Sequence, residues 1–128
     1  FSSAIFSCSI FGLAVVTYEN QNAKEVIFEI PEGTSDYLQD WNSQDQPVRA
    51  QVGDTLIIVN KDTKPHRLHT DGRPCGHGDL IEPGEAWSCV LAVPYNALEE
   101  KEPTRDHLNY DLKFWLIVTT QNNTDSQD

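Results

Sequence analysis

Positive charge is scarce in this chain. Nine lysines and arginines stand against twenty aspartates and glutamates in 128 residues, a formal net charge of −11. Nucleic acids and anionic membrane surfaces bind through clustered lysine and arginine, and no basic stripe survives this balance, so neither is expected as a partner. The acidity suits a basic protein partner, or simply keeps an exported domain soluble. The motifs of common catalytic machinery are missing too: the sequence has no haem attachment motif, no phosphate-binding glycine loop, no paired-carboxylate constellation, and no helix start or nucleophile elbow to activate a thiolate. An enzyme is therefore not expected. Nor does any stretch sustain a helical hydrophobic period. A chain of this length suits one domain with a real core, folding without needing metals or disulfides merely to hold together.

One apolar run interrupts this polar sequence. Residues 1–16, FSSAIFSCSIFGLAVV, carry no charge and give way abruptly to polar sequence. The run falls short of the roughly 20 apolar residues that span a bilayer. With no Met and no basic flank before it, it reads as the tail of a longer leader or membrane helix. Ile5-Phe6-Ser7-Cys8 loosely resembles a lipoprotein cleavage box, which makes Cys8 a candidate lipid anchor, although the apolar run continues beyond it. A first β-strand is the remaining reading. The leader and lipoprotein readings place the domain outside the cytoplasm, periplasmic or otherwise extracytoplasmic, with membrane association through this segment. The expected organisation is an apolar leader or anchor over 1–20, a folded domain over 21–120 and a polar tail over 121–128.

What remains is β in character. Residues 24–30, KEVIFEI, alternate Val26, Phe28 and Ile30 with charged or polar neighbours, the pattern of a half-buried strand. Further strands are predicted over 55–60, 67–70, 86–93 and 113–119, separated by Pro, Gly and Asn-Asp clusters. Residues 34–46 read as a long polar connection with at most one helical turn, and 96–101 as a short helix before Pro103. Short strands at this spacing indicate a sandwich or barrel.

The most informative stretch is 51–84, QVGDTLIIVNKDTKPHRLHTDGRPCGHGDLIEPG. It has a strand opened by Val52-Gly53-Asp54, a turn at Asn60-Lys61-Asp62, a histidine directly after Pro65, and a later Pro83-Gly84-Glu85. This order resembles the copper-binding cupredoxins, of the plastocyanin and azurin type, and the likeness extends over about residues 24–119. The resemblance implies an all-β, cupredoxin-like Greek-key β-sandwich. It implies that His66 stands where the family has its first histidine ligand, and that His107, before the last strand, stands where the second is expected. The two are thus expected to meet at one pole around copper.

The departures are specific. Where the ligand cysteine of the family belongs, the chain reads Glu102-Pro103-Thr104, and it has no methionine. A type 1 copper centre depends on its thiolate, so ordinary blue-copper electron transfer is poorly supported. Four histidines, His66, His69, His77 and His107, remain as candidate ligands, with Asp71, Asp79 and Asp106 as nearby carboxylates. Neutral imidazoles suit copper(II) or zinc without any thiolate. Cys89 shares a strand face with Trp87 and Leu91, and Cys75 lies in the Gly-punctuated GRPCGHG loop. In an exported domain these two most economically form a disulfide. The competing reading joins Cys75 and His77 to His66 as a thiolate–imidazole copper site.

These readings lead to two functional expectations. One is a membrane-tethered cupredoxin-like protein that binds copper through histidines, for copper handling or electron transfer beside a membrane complex. The other is a metal-free scaffold acting as a structural or interaction subunit. The connection 94–106, with Glu99, Glu100 and Glu102, is longer and more acidic than a simple hairpin and is the candidate docking surface for a basic or membrane-embedded protein partner.

Overall fold

The computed structural model describes residues 23–120. The leader expected over 1–20, Cys8 and the tail over 121–128 lie outside the described residues. Among the described residues there is no α-helix, and no helix is long and apolar enough to cross a membrane.

Among the described residues, nine strands are arranged in three small sheets. The first has the order β1 (Glu25–Ile30), β3 (Thr55–Asn60), β5 (Ala86–Val90); β1 runs parallel to β3 and β5 antiparallel to it. The second has the order β2 (Val48–Gln51), β9 (Leu116–Thr119), β6 (Tyr95–Asn96), with β2 parallel and β6 antiparallel to β9. The third joins β4 (Leu68–His69), β7 (Arg105–Asp106) and β8 (Asn109–Lys113), all antiparallel. Ile30, Leu56 and Ile58 from the first sheet, Ala50, Leu116 and Val118 from the second, and Leu68 and Leu112 from the third share one buried cluster. This is a β-sandwich core.

The local motifs act as clamps. Asp54 ends the β2–β3 turn, where Gly53 has φ +98°, and its carboxylate accepts from the backbone N–H groups of Gln51 (2.9 Å) and Lys24 (3.1 Å). Burial opposes ionisation of Asp54, but these backbone bonds and the Lys24 ammonium hold its carboxyl below the usual value. Asn60 closes β3. Its side chain is fully buried, donates to the carbonyls of Lys64 (2.9 Å) and Ile81 (2.8 Å), and accepts from the N–H of Asp62 (2.9 Å). The turn leading to His66 is thereby fixed by a side chain whose donors and acceptor are all occupied.

Several elements depart from the sequence reading. The long polar connection carries Trp41 into the core, where it packs on Phe114 at 5.3 Å between ring centroids. Strand β2 was not expected; its sequence, VRAQ, has little β character, and it forms by pairing with β9. The expected strand over 113–119 is broken into β8 and β9. Between them Phe114 donates to the Thr104 carbonyl (3.0 Å) and Trp115 to the Asn42 side chain (2.7 Å), so the chain changes partners there. The short helix expected over 96–101 is a single 3-10 turn, Ala97–Glu99, capped by the Asn96 side chain.

Candidate metal centre

Strands β4 and β7 build the site. In their antiparallel register Leu68 faces Asp106 and His69 faces Arg105. Side chains of an extended chain alternate between faces, and on these segments one face is core while the other carries His69 beside the buried Arg105. His66, Leu68 and Asp106 are buried, whereas His69 and His107 are only partly buried. The backbone N–H of His107 donates to the carbonyl of Arg67 at 2.6 Å, which brings the two segments together on both faces at once.

On the inner face His66 is sealed. Its Nδ1 bonds the Asp106 carboxylate and its Nε2 the Asp62 carboxylate, the latter at 2.7 Å, while Trp41 meets the ring edge-on. Burial alone would lower the His66 imidazole, but the bonds to Asp106 and Asp62 outweigh it and raise it above its ordinary value. Asp62 shows the converse. Burial opposes its ionisation, but the bond from His66 and backbone N–H donors from Ser35, Gly33 and Thr63 bring it down to about 2. The arrangement is an imidazolium between two carboxylates, and neither ring nitrogen is left for a metal. His66 and His107, expected to pair as ligands, occupy opposite faces of the same strand pair.

On the outer face His69, His77 and His107 converge. One nitrogen from each lies within 4.8 Å of the others. Nδ1 of His107 is 3.2 Å from Nδ1 of His69 and 3.0 Å from Nε2 of His77. The outward-facing nitrogens have partners of their own: Nε2 of His69 lies 3.5 Å from the Asp71 carboxylate, and Nδ1 of His77 lies 3.5 Å from the Thr70 carbonyl. Both partners are acceptors, and a ring proton on the outer nitrogen leaves a lone pair turned toward the centre. Burial, then the Arg105 guanidinium and the neighbouring His77, lower the His69 imidazole from its usual value and favour the neutral form that a metal requires. Of the other carboxylates considered, Asp106 is committed to the inner face and Asp79 is exposed.

The loop between β4 and β5 holds His77 in place. Cys75 and Cys89 form a disulfide with Cα atoms 6.3 Å apart. The bridge corrects the alternative reading of Cys75 as a thiolate ligand, because its sulfur is already bonded. Gly78 donates to the Leu68 carbonyl at 2.9 Å, and a Cβ at that position would stand 3.2 Å from the same oxygen. His77 is thereby fixed between a covalent anchor and a close backbone contact.

No family model matches the chain, and no curated protein matches it either. Solved structures do. A methionine-to-alanine variant of amicyanin in its copper(I) form matches with a TM-score of 0.52 at 15% identity, over 73% of this chain and 81% of the other. A reduced tryptophan-to-tyrosine variant of amicyanin matches with a TM-score of 0.53 at 15% identity, over 77% and 83% of the two chains. The fold is that of the cupredoxins.

Within this cupredoxin fold a type 1 centre does not fit the residues present. His66 is sealed between carboxylates, Cys75 and Cys89 are bridged, and there is no methionine. A histidine-only site on the outer face does fit. All three of its residues are among the four candidate histidines of the sequence, although the family resemblance points to His66 rather than to His69 and His77. The overlooked signal was parity: His66 and His69 are an odd number of residues apart, and His107 directly follows the buried Asp106.

Proposed function

We propose that this protein binds copper through His69, His77 and His107 and serves outside the cytoplasm in copper handling. The observation that carries the reading is the convergence of three imidazole nitrogens within 4.8 Å of one another. Nitrogen donors suit copper(II) by the ordinary order of ligand preference. When bound, the metal supplies a one-electron couple and a Lewis-acidic centre. The chain supplies the rest. Asp71 and the Thr70 carbonyl orient two of the rings, Arg105 helps keep His69 unprotonated, and the disulfide and Gly78 hold the third ring on its loop.

The exposure of His77 favours handling over shielded electron transfer, because one ligand remains accessible from solvent. A receiving protein can approach that side. Supply or removal of copper beside a membrane complex, with the apolar N-terminal segment as attachment, is the setting that fits the expected export. Titration of the metal-free protein with copper(II), followed by electron paramagnetic resonance, tests this. One equivalent should give a tetragonal signal with couplings to several imidazole nitrogens. No signal at one equivalent would leave the metal-free scaffold reading in its place.

A further inference from the structure

Tetragonal copper(II) sites are built from nitrogen and oxygen donors, and three imidazoles leave such a site one protein donor short of four. Tyr110 on β8 stands beside two of these rings, those of His69 and His107. Its hydroxyl lies 3.4 Å from Nδ1 of His69, the atom that also faces Nδ1 of His107 at 3.2 Å. Its ring is 4.7 Å from that of His69 and 5.8 Å from that of His107, centroid to centroid.

Two contacts set this pose. The Arg105 guanidinium lies over the tyrosine ring at 4.8 Å, and the Lys113 ammonium donates to the Tyr110 carbonyl at 2.6 Å. The aromatic side chain is nevertheless 47% exposed, so the core does not account for its position. In the tautomer with its proton on Nε2, the nitrogen that faces the Asp71 carboxylate at 3.5 Å, His69 keeps a lone pair on Nδ1. The phenol is therefore the donor in the contact with Nδ1. Once that lone pair is given to a metal, the phenolic oxygen faces the same ion.

Resting on the three-histidine reading above, we propose that Tyr110 is a fourth protein ligand, whose phenolic oxygen binds copper(II) together with His69, His77 and His107. As the copper–oxygen bond forms, the O–H bond breaks and its proton passes to solvent, with no change in oxidation state. The guanidinium over the ring places positive charge where the phenolate charge develops.

The test is an optical and resonance Raman titration of the metal-free protein with copper(II), in parallel with Tyr110→Phe and His77→Ala. The expected result is a visible phenolate-to-copper(II) charge-transfer band with enhanced tyrosine ring modes, saturating at one equivalent. Tyr110→Phe should abolish the band and weaken binding about tenfold or more while keeping the imidazole nitrogen couplings. Imidazole couplings without any phenolate band, unchanged in Tyr110→Phe, would overturn the role of Tyr110 and leave the histidine site standing. Failure of the unaltered protein to bind copper(II) at all would overturn both.

Discussion

His66 and His69 stand three residues apart on one extended segment, and they face opposite sides of it: His66 is buried between Asp62 and Asp106, and His69 opens toward His77 and His107. One short stretch thus carries a structural histidine and a ligand-competent one. Because their environments shift the two rings in opposite directions, they make separable predictions.

The inner group predicts a two-sided pH dependence of stability in the metal-free protein. The folded value of Asp62 lies at about 2, below its ordinary 3.8, so its contribution is complete above 3.8 and is lost as pH falls toward 2. His66 is raised above 6.5, so its contribution is complete below 6.5 and is lost as pH rises through its folded value. Denaturant midpoints should therefore be highest between about pH 4 and 6.5. His66→Gln should flatten the alkaline limb. A midpoint that keeps rising from neutral to alkaline pH would contradict the imidazolium between two carboxylates.

The disulfide closes a separation of 14 residues between Cys75 and Cys89. In the chain-entropy picture such a bridge stabilises a fold by about 3 kcal/mol. The Cys75→Ala, Cys89→Ala double variant should unfold at correspondingly lower denaturant, and should also bind copper(II) more weakly because His77 sits on the released loop. Unfolding curves and metal titrations that match those of the bridged protein would refute both consequences.

Gly78→Ala separates loop position from loop covalency. The new methyl group would meet the Leu68 carbonyl at 3.2 Å and the Leu68 Cβ at 3.3 Å. Relief of these contacts moves the segment carrying His77. We expect a loss of about 10-fold or more in copper affinity with the disulfide still formed, as read by competition with a chelator. Unaltered affinity would show that the position of His77 does not depend on this approach.

Trp41 is the most consequential core residue that the sequence hides. It is fully buried against Phe114 and His66, and its indole N–H donates to Asp106 at 3.3 Å. Trp41→Ala should cost about 3–5 kcal/mol, as large aromatic deletions in cores do. Equilibrium unfolding measures this directly, and a loss below about 1 kcal/mol would mean that the pocket collapses around the gap.

What was legible in the sequence is local. Val26, Phe28 and Ile30 alternate within β1, Asp54 and Asn60 bond to groups a few residues away, and Cys89 shares its strand face with Trp87, so these features follow from short-range pattern and turn chemistry. What was hidden depends on partners distant in sequence. Trp41 lies in a polar stretch and is drawn inward by Phe114, His66 and Asp106, all distant in sequence. Val48–Gln51 becomes a strand only because Leu116–Thr119 is there to pair with it. The site failed for a related reason. The family frame placed His66 and His107 at one pole, and their backbones do meet there, but Asp106 occupies the inward direction and bonds His66 itself. A carboxylate next to a candidate ligand was read as a spare donor when it was the partner that closes the inner face.

The central claim is that copper binds on the outer face through His69, His77 and His107 and not through His66. Copper(II) titration followed by paramagnetic resonance, run on the unaltered protein, His77→Ala and His66→Gln, tests it most directly. The expected result is one equivalent bound with imidazole nitrogen couplings, fewer couplings and weaker binding in His77→Ala, and an unchanged copper spectrum in folded His66→Gln. A spectrum that survives His77→Ala intact but is lost in folded His66→Gln would contradict it.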